Sequence, residues 1–321
     1  MATARAPGKL MILGEHAVVY GRKCIVTAVD AGVQASVTDS ESCFIDAPDM
    51  GFSGQVDLSQ ESFPKQVAFA AQAAKNFMQA FSVARPFRIT TRSPDTPEKK
   101  VGLGSSASVT AATIAALASH FKVPLDEAKL YTLAFKTVLE VQKVGSGFDA
   151  AAASYGGTIM YKIGSPEPIS PLAEQLVVAY TGQPASTPEI VRHVAEHVKN
   201  DQKFYNSLFD EIEKLVLMAR TAIGRQDWRQ LGVLMNHNQE LLRKMKSPST
   251  EFGVSSERIE RLVSAALDAG AYGAKLSGAG VGDCIIALCP EALEANVKKS
   301  LQAAGGQIIN ARPNAAGACA V

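Results

Sequence analysis

The 321-residue chain has no excess of either charge: 32 Lys and Arg stand against 31 Asp and Glu, a net charge of +1. Without a basic surplus there is no overall electrostatic footprint for nucleic acid or an anionic membrane, although a local basic pocket stays open. Cysteine is scarce and odd in number. Cys24, Cys43, Cys284, Cys289 and Cys319 show no CxxC spacing, which argues against a disulfide scaffold and for reduced thiols in a cytosolic protein. No segment is apolar enough to span a bilayer; the nearest, VGLGSSASVTAATIAALAS (101–119), is mostly Gly, Ser, Thr and Ala. LMIL (10–13) is too short for a signal-peptide core and runs directly into a polar stretch, so no leader is expected. The chain also lacks GxxxxGK[ST], and no GxGxxG follows a strand, so neither common nucleotide-binding loop is present. There is no repeat of fixed period and no low-complexity tract. What is present, 47% hydrophobic and 20% charged residues, is the make-up of a soluble globular protein long enough for two domains.

Apolar patterning predicts strands at 9–13, 24–30, 33–40 and 87–93, and helices at 63–81, 102–121 and 124–142, with Pro64 and Pro124 near two helix starts. A glycine loop, KVGSGFD (143–149), then leads through AAAASYGG into the strand TIMYKI. Three prolines in GSPEPISPL (164–172) mark the domain boundary, giving domains 1–172 and 173–321. Beyond it the pattern predicts a strand from 175 and helices at 187–200, 207–223, 227–245 and 255–270. A third glycine-rich stretch, 273–289, reads as a loop leading into a strand, and a helix and a strand follow it. Interspersed strands and helices place the chain in the α+β, or mixed α/β, class.

Three glycine-rich loops carry the candidate chemistry. In VGLGSSASVTAA, glycines let the backbone approach an anion, and the helix that follows presents unpaired N–H groups and a positive dipole end. Two serines in its first turn can bond phosphate oxygens, and a hydroxyl can ligate Mg²⁺. The plainer reading is a serine cap on an alanine-rich core helix. Asp149, closing GSGFD, is either a helix N-cap or buried for a purpose; Lys9, in PGKLMIL, alone reads as a surface lysine. SGAGVGD (277–283) is a backbone-donor loop or a turn between strands. GEHAVVYG (14–21) sets Glu15 beside His16, as an acid/base pair, a substrate clamp or an ordinary turn.

In order and content these stretches resemble the motifs of the GHMP kinases. PGKLMILGEHAVVYG is similar to the first motif of that family, VGLGSSAS to its second and KLSGAGVGDC to its third, so the resemblance spans essentially the whole chain. It implies a two-domain α+β fold with the active site in the interdomain cleft, and ATP and Mg²⁺ as cosubstrate and metal. It implies that Gly102, Leu103, Gly104, Ser105, Ser106 and Ala107 embrace the ATP phosphates, with Ser106 also a Mg²⁺ ligand. Asp149 falls on the family's base toward the acceptor hydroxyl, and Lys9 on the lysine beside it. A carboxylate in reach of the hydroxyl, with an ammonium favouring both the ionised carboxylate and the forming alkoxide, is sound chemistry for in-line phosphoryl transfer.

Within the family, GEHAVVYG resembles the mevalonate-phosphorylating members. Glu15 and His16 would then orient the mevalonate carboxylate and hydroxyls, with Ser146, Gly278, Ala279 and Gly280 completing the substrate-facing set. VGSGFDAAAASYGG, YTGQPAST and SGAGVGDC lean instead toward the phosphomevalonate-phosphorylating members. The family's second metal-ligating carboxylate falls on Val138, which leaves Glu140 as the nearest candidate. The resemblance thus implies phosphorylation of the C5 hydroxyl of mevalonate in the cytosol, in isoprenoid precursor synthesis, with 5-phosphomevalonate as the alternative acceptor. The one partner indicated is that small molecule, and a homodimer is the assembly left open.

Three other stretches and readings compete with this one. HVAEH (193–197) fits the HxxEH pattern of some zinc proteases. On a helix, however, Ile190, Val191, Val194, Ala195 and Val198 make the buried stripe and Glu196 lies opposite, as on a solvated face. His120 and His237 sit in helical patterns and read as structural. A non-catalytic member serving as a binding module is opposed by the joint presence of Lys9, Ser106 and Asp149.

Overall fold

The computed structural model describes residues 1–93, 102–172, 175–246, 251 and 253–321. The loop PDTPEKK and the expected boundary at 172/173 fall on or against residues outside that set. The first half contains strands β1 (Ala2–Leu13), β2 (Cys24–Asp39), β3 (Phe44–Ala47) and β4 (Phe52–Gln55), helix α1 (Ala68–Phe81) and strand β5 (Phe87–Arg92). Helices α2 (Ser105–Phe121), α3 (Glu127–Gln142) and α4 (Phe148–Tyr155) follow, then β6 (Thr158–Lys162) and β7 (Ser165–Pro168). The second half has β8 (Leu176–Tyr180) and four helices, α5 (Thr187–Asn200), α6 (Gln202–Gly224), α7 (Trp228–Arg243) and α8 (Glu257–Asp268). It closes with β9 (Gly273–Ser277), β10 (Cys284–Leu288), α9 (Glu294–Ala303), β11 (Gln307–Ile309) and β12 (Cys319–Ala320).

The larger sheet runs β12-β1-β2-β5-β3-β4, with β6 joined to β2 and β7 to β6; the smaller is β11-β8-β10-β9, antiparallel throughout. The run KLMIL is continuously apolar because both faces of β1 are covered. Leu10 and Ile12 pack into the core of the second half, while Met11 points the other way, into the core formed with α1–α4. The first sheet is therefore the layer shared by both halves. The tail also crosses back: β12 pairs with β1, and Gly157 N–H donates to Ala315 O at 2.8 Å.

Three expectations change in detail. The strands predicted at 24–30 and 33–40 are one strand, because Gly32 and Gly8 let the β1 and β2 backbones close up around the register shift between Ala6 and Gly8. AAAASY, expected as a connection, is the body of α4, where its alanines form a buried helix between two glycine caps. The stretch 273–289 holds two strands rather than one, since GAKLS is itself a buried strand paired with β10. The short strands β3, β4, β7 and β12, of two to four residues, carry too little periodicity to be predicted.

Behind the second sheet, α7 lies directly on β9. Gly232 allows it, because a Cβ there would collide with the Tyr272 backbone, and one at Gly273 with Gly232 O. Gly232→Ala should therefore destabilise the protein by roughly 1–3 kcal/mol through overpacking, although alanine is the better helix former by ~1 kcal/mol. Urea denaturation checks this, and a variant as stable as the parent would refute the close approach.

Candidate active site

Lys9 lies near the middle of β1 with its backbone N–H donating to Leu103 O at 2.8 Å, so the strand is tied directly to the second glycine motif. Its side chain, expected on the surface, is buried. Nζ donates to Gly102 O at 3.0 Å and lies 3.6 Å from Asp149 Oδ1 and 5.5 Å from the centre of the Phe148 ring. Gly102 and Gly104 both have positive φ, at 79° and 80°. A Cβ on Gly104 would come within 2.9 Å of Lys9 Cγ, so the lysine stem runs through space that only a glycine leaves. Gly104 is also the N-cap of α2.

Asp149 is not the cap of α4. Gly147 holds that position, at φ 88°, and Asp149 lies in the first turn. The N-termini of α2 and α4 thus converge on Lys9, giving two sets of unpaired N–H groups and one ammonium around a single carboxylate. The sequence pattern missed Phe148, which shields that pair. Ser146 is buried and its carbonyl accepts from Tyr161 O–H at 2.5 Å, holding the loop before α4; burial pushes the Tyr161 phenol far above its usual range. Ser105 is exposed and Ser106 half-buried at the start of α2, and among the described residues neither hydroxyl has a hydrogen-bond partner. Ser108 instead turns inward and donates to Pro7 O at 2.7 Å. Gly102, Leu103, Gly104, Ser105, Ser106 and Ala107 therefore form a backbone cradle with two hydroxyls at its lip, a fit for a polyphosphate and for one metal-bound oxygen.

The first and third motifs are joined underneath. Glu15 is buried and pairs with Lys275, which has no exposed surface, while Asn238 Nδ2 donates to the other Glu15 oxygen at 3.3 Å. Burial raises the Glu15 pKa and lowers that of Lys275, each opposed by the other's charge. Both Glu15 oxygens, expected beside the substrate carboxylate, are engaged by Lys275 and Asn238. His16, at φ 60°, is buried, and its Nε2 lies 2.9 Å from Ala279 O; burial lowers its pKa, so the neutral ring donates to that carbonyl. Ser277 Oγ completes the joint, accepting from Met11 N–H at 2.9 Å and donating to Met11 O at 3.0 Å. Gly278 faces open space at φ 117°, and Gly280 is pressed against Val254 O.

Glu140 shares none of these contacts. Its Oε2 accepts from Gln72 Nε2 at 2.9 Å and Asn76 Nδ2 at 2.7 Å, and its Oε1 is 3.8 Å from Lys136 Nζ. The oxygens of Glu140, the candidate second metal ligand, thus face α1 and its own helix. Among the described residues no group of three or more His, Cys, Asp or Glu could hold a metal ion by itself. In HVAEH, His193 and His197 bond each other at 3.0 Å, and Glu196 remains on the outer face. The cysteines nearest the site are protonated thiols: burial pushes Cys284 up to about 12, and Cys24 well up, with Glu15 and Asp149 adding to the latter. Sequence reasoning missed Lys275, Asn238 and Ser277; a lysine inside the small-residue strand GAKLS was the available signal.

Lys275→Met should leave Glu15 buried without its counter-charge and lower stability by about 3–5 kcal/mol, whereas adding Glu15→Gln should recover most of the loss. Urea denaturation of both variants checks this, and a double variant no more stable than the single one would refute the pairing.

The family profile described as GHMP kinases N terminal domain matches residues 68–157, and that described as GHMP kinases C terminal matches residues 219–307. The mevalonate kinase of Pyrococcus horikoshii is 33% identical over 94% of this chain and 92% of its own length. That of Thermococcus sibiricus is 32% identical, over 95% and 94%. The crystal structure of the L. major mevalonate kinase in complex with R-mevalonate superposes with a TM-score of 0.78 at 26% identity, covering 99% of this chain and 97% of that one. With relatives of this identity aligned along nearly their full length, and both family profiles matched in order, the chain belongs to the GHMP kinase family.

Proposed function

We propose that the protein transfers the γ-phosphoryl group of ATP to the C5 hydroxyl of mevalonate, in cytosolic isoprenoid precursor synthesis. The observation that carries the chemistry is the Lys9–Asp149 pair set against the Gly102–Gly104 loop, where two helix N-termini meet. The choice of acceptor follows the names of the relatives aligned over almost the whole chain. Phosphoryl transfer needs mainly positioning and charge neutralisation. The loop N–H groups and the α2 N-terminus hold the phosphates, and Asp149 accepts the proton of the attacking hydroxyl. Lys9, 3.6 Å away, offsets the negative charge that develops on that oxygen. Ser106 would hold Mg²⁺ through its hydroxyl, and the ion would supply charge neutralisation on the transferred group. His16, fixed on Ala279 O, lines the acceptor side together with Gly278.

Asp149→Asn keeps the shape of the site and removes its base. Turnover should fall by about 10²–10⁴-fold while nucleotide affinity stays within a few-fold of the parent. Steady-state kinetics with calorimetric nucleotide titration reads both, and near-parental turnover would remove Asp149 as the base. The third motif ends in SGAGVGDC, the feature that favours 5-phosphomevalonate as the second reading. An ADP-release assay run with each acceptor separates them: mevalonate should turn over, and a clear preference for the phosphorylated compound would overturn the assignment.

A further inference from the structure

Asp283 has no role in the reaction as described so far, yet its setting is unusual. It is a buried acidic residue, 5% exposed, in the turn between β9 and β10, with φ 57°, a region that a non-glycine residue adopts at a cost. One segment of the second half wraps it. Its N–H donates to Gln183 O at 2.8 Å, its carbonyl accepts from Thr181 N–H at 2.9 Å, and its Oδ1 accepts from Ala185 N–H at 2.9 Å. On its other side is the glycine loop: a Cβ on Gly102 would come within 2.7 Å of Asp283 Cβ, Cγ and Oδ2. The carboxylate fills the space that Gly102 leaves empty. Gly102 is therefore gripped twice, at its carbonyl by Lys9 from the first half and at its Cα by Asp283 from the second.

We propose that Asp283 is a positioning residue for the nucleotide. Its carboxylate docks the 181–185 segment onto Gly102 and so sets the loop in the form that receives the phosphates. This rests on the kinase reading above. The competing account is that Asp283 merely occupies a left-handed turn position, which glycine would fill better. Three variants separate the two. Asp283→Asn keeps an oxygen acceptor for Ala185 N–H and tolerates the left-handed backbone, Asp283→Gly relieves the backbone but removes the acceptor, and Asp283→Ala removes the acceptor and adds strain.

Calorimetric titration with ADP and with a non-hydrolysable ATP analogue should show Asp283→Asn within about twofold of the parent and Asp283→Gly about tenfold weaker, as expected for loss of one buried bond. In steady-state kinetics KM for ATP should rise with Asp283→Gly and Asp283→Ala, while KM for the acceptor and kcat at saturating nucleotide hold. Circular dichroism and thermal unfolding confirm that each variant is folded. An Asp283→Gly variant that binds nucleotide like the parent overturns the proposal in favour of a simple turn. So does an Asp283→Asn variant as weak as Asp283→Gly, or an effect on acceptor KM alone. The parent chain separates this from the function itself: failure of the unaltered protein to bind adenine nucleotide sinks the kinase reading, whereas parental binding with insensitive variants sinks only the role of Asp283.

Discussion

The buried pair of Glu15 and Lys275 is the constraint on which the arrangement of the site depends. Two charges taken out of water gain little net stability over an apolar pair of the same shape, but separating them would leave each buried without its partner, at a cost of about 3–5 kcal/mol. That placement joins β1's exit to β9, and with it the first glycine motif to the third. The reciprocal bonds of Ser277 with Met11 and the bond from His16 to Ala279 work in the same register, so a shift of one strand relative to the other would break all of them together. The aromatic stack of Tyr20 on Phe209, 4.5 Å between centroids, and the Arg22–Asp210 ion pair extend the joint onto α6. The first motif is thereby held against the third, and His16 keeps a strained backbone, at φ 60°, because its surroundings over-determine it.

Above that joint the electrostatics gather on Lys9. Its ammonium meets a loop carbonyl, a carboxylate and an aromatic ring, and the N-terminal ends of α2 and α4 face the same space. Each is a modest contribution in water. Together they gather positive potential around the half-buried Asp149 carboxylate. The glycines are what permit the approach: with side chains at Gly102 and Gly104, neither Asp283 nor Lys9 could lie where it does.

Much of the fold was legible in the sequence. The helix at 187–200 begins and ends where its apolar spacing says, with Ile190 and Val194 buried as the stripe requires. Most other long helices and the central strands follow the same logic, because amphipathic spacing and covered faces leave a local signature. The misses share a cause. Joining 24–30 to 33–40 depends on a partner strand that allows a bulge, and β12 exists only because the tail returns to β1. In the site, Lys9, Asp149 and the glycine loop lie together, whereas Glu15 is bonded to Lys275 and Glu140 to α1. A carboxylate in a motif looks alike whether it meets solvent, a lysine 260 residues away or a pair of amides on a neighbouring helix.

The sequence by itself determined the class of chemistry. Glycines before helix starts, a serine pair, a lysine and an aspartate are residue types whose capacities do not depend on their neighbours, and their order along the chain carries the family resemblance. Where each charged group lies, and what it meets, was decided by the tertiary structure. Lys9 and Lys275 are both lysines in strands. One emerges between two helix N-termini beside Asp149, and the other is sealed against Glu15. The physical reason is that charge acts through distance and local dielectric, and both are set only when the two halves close on each other.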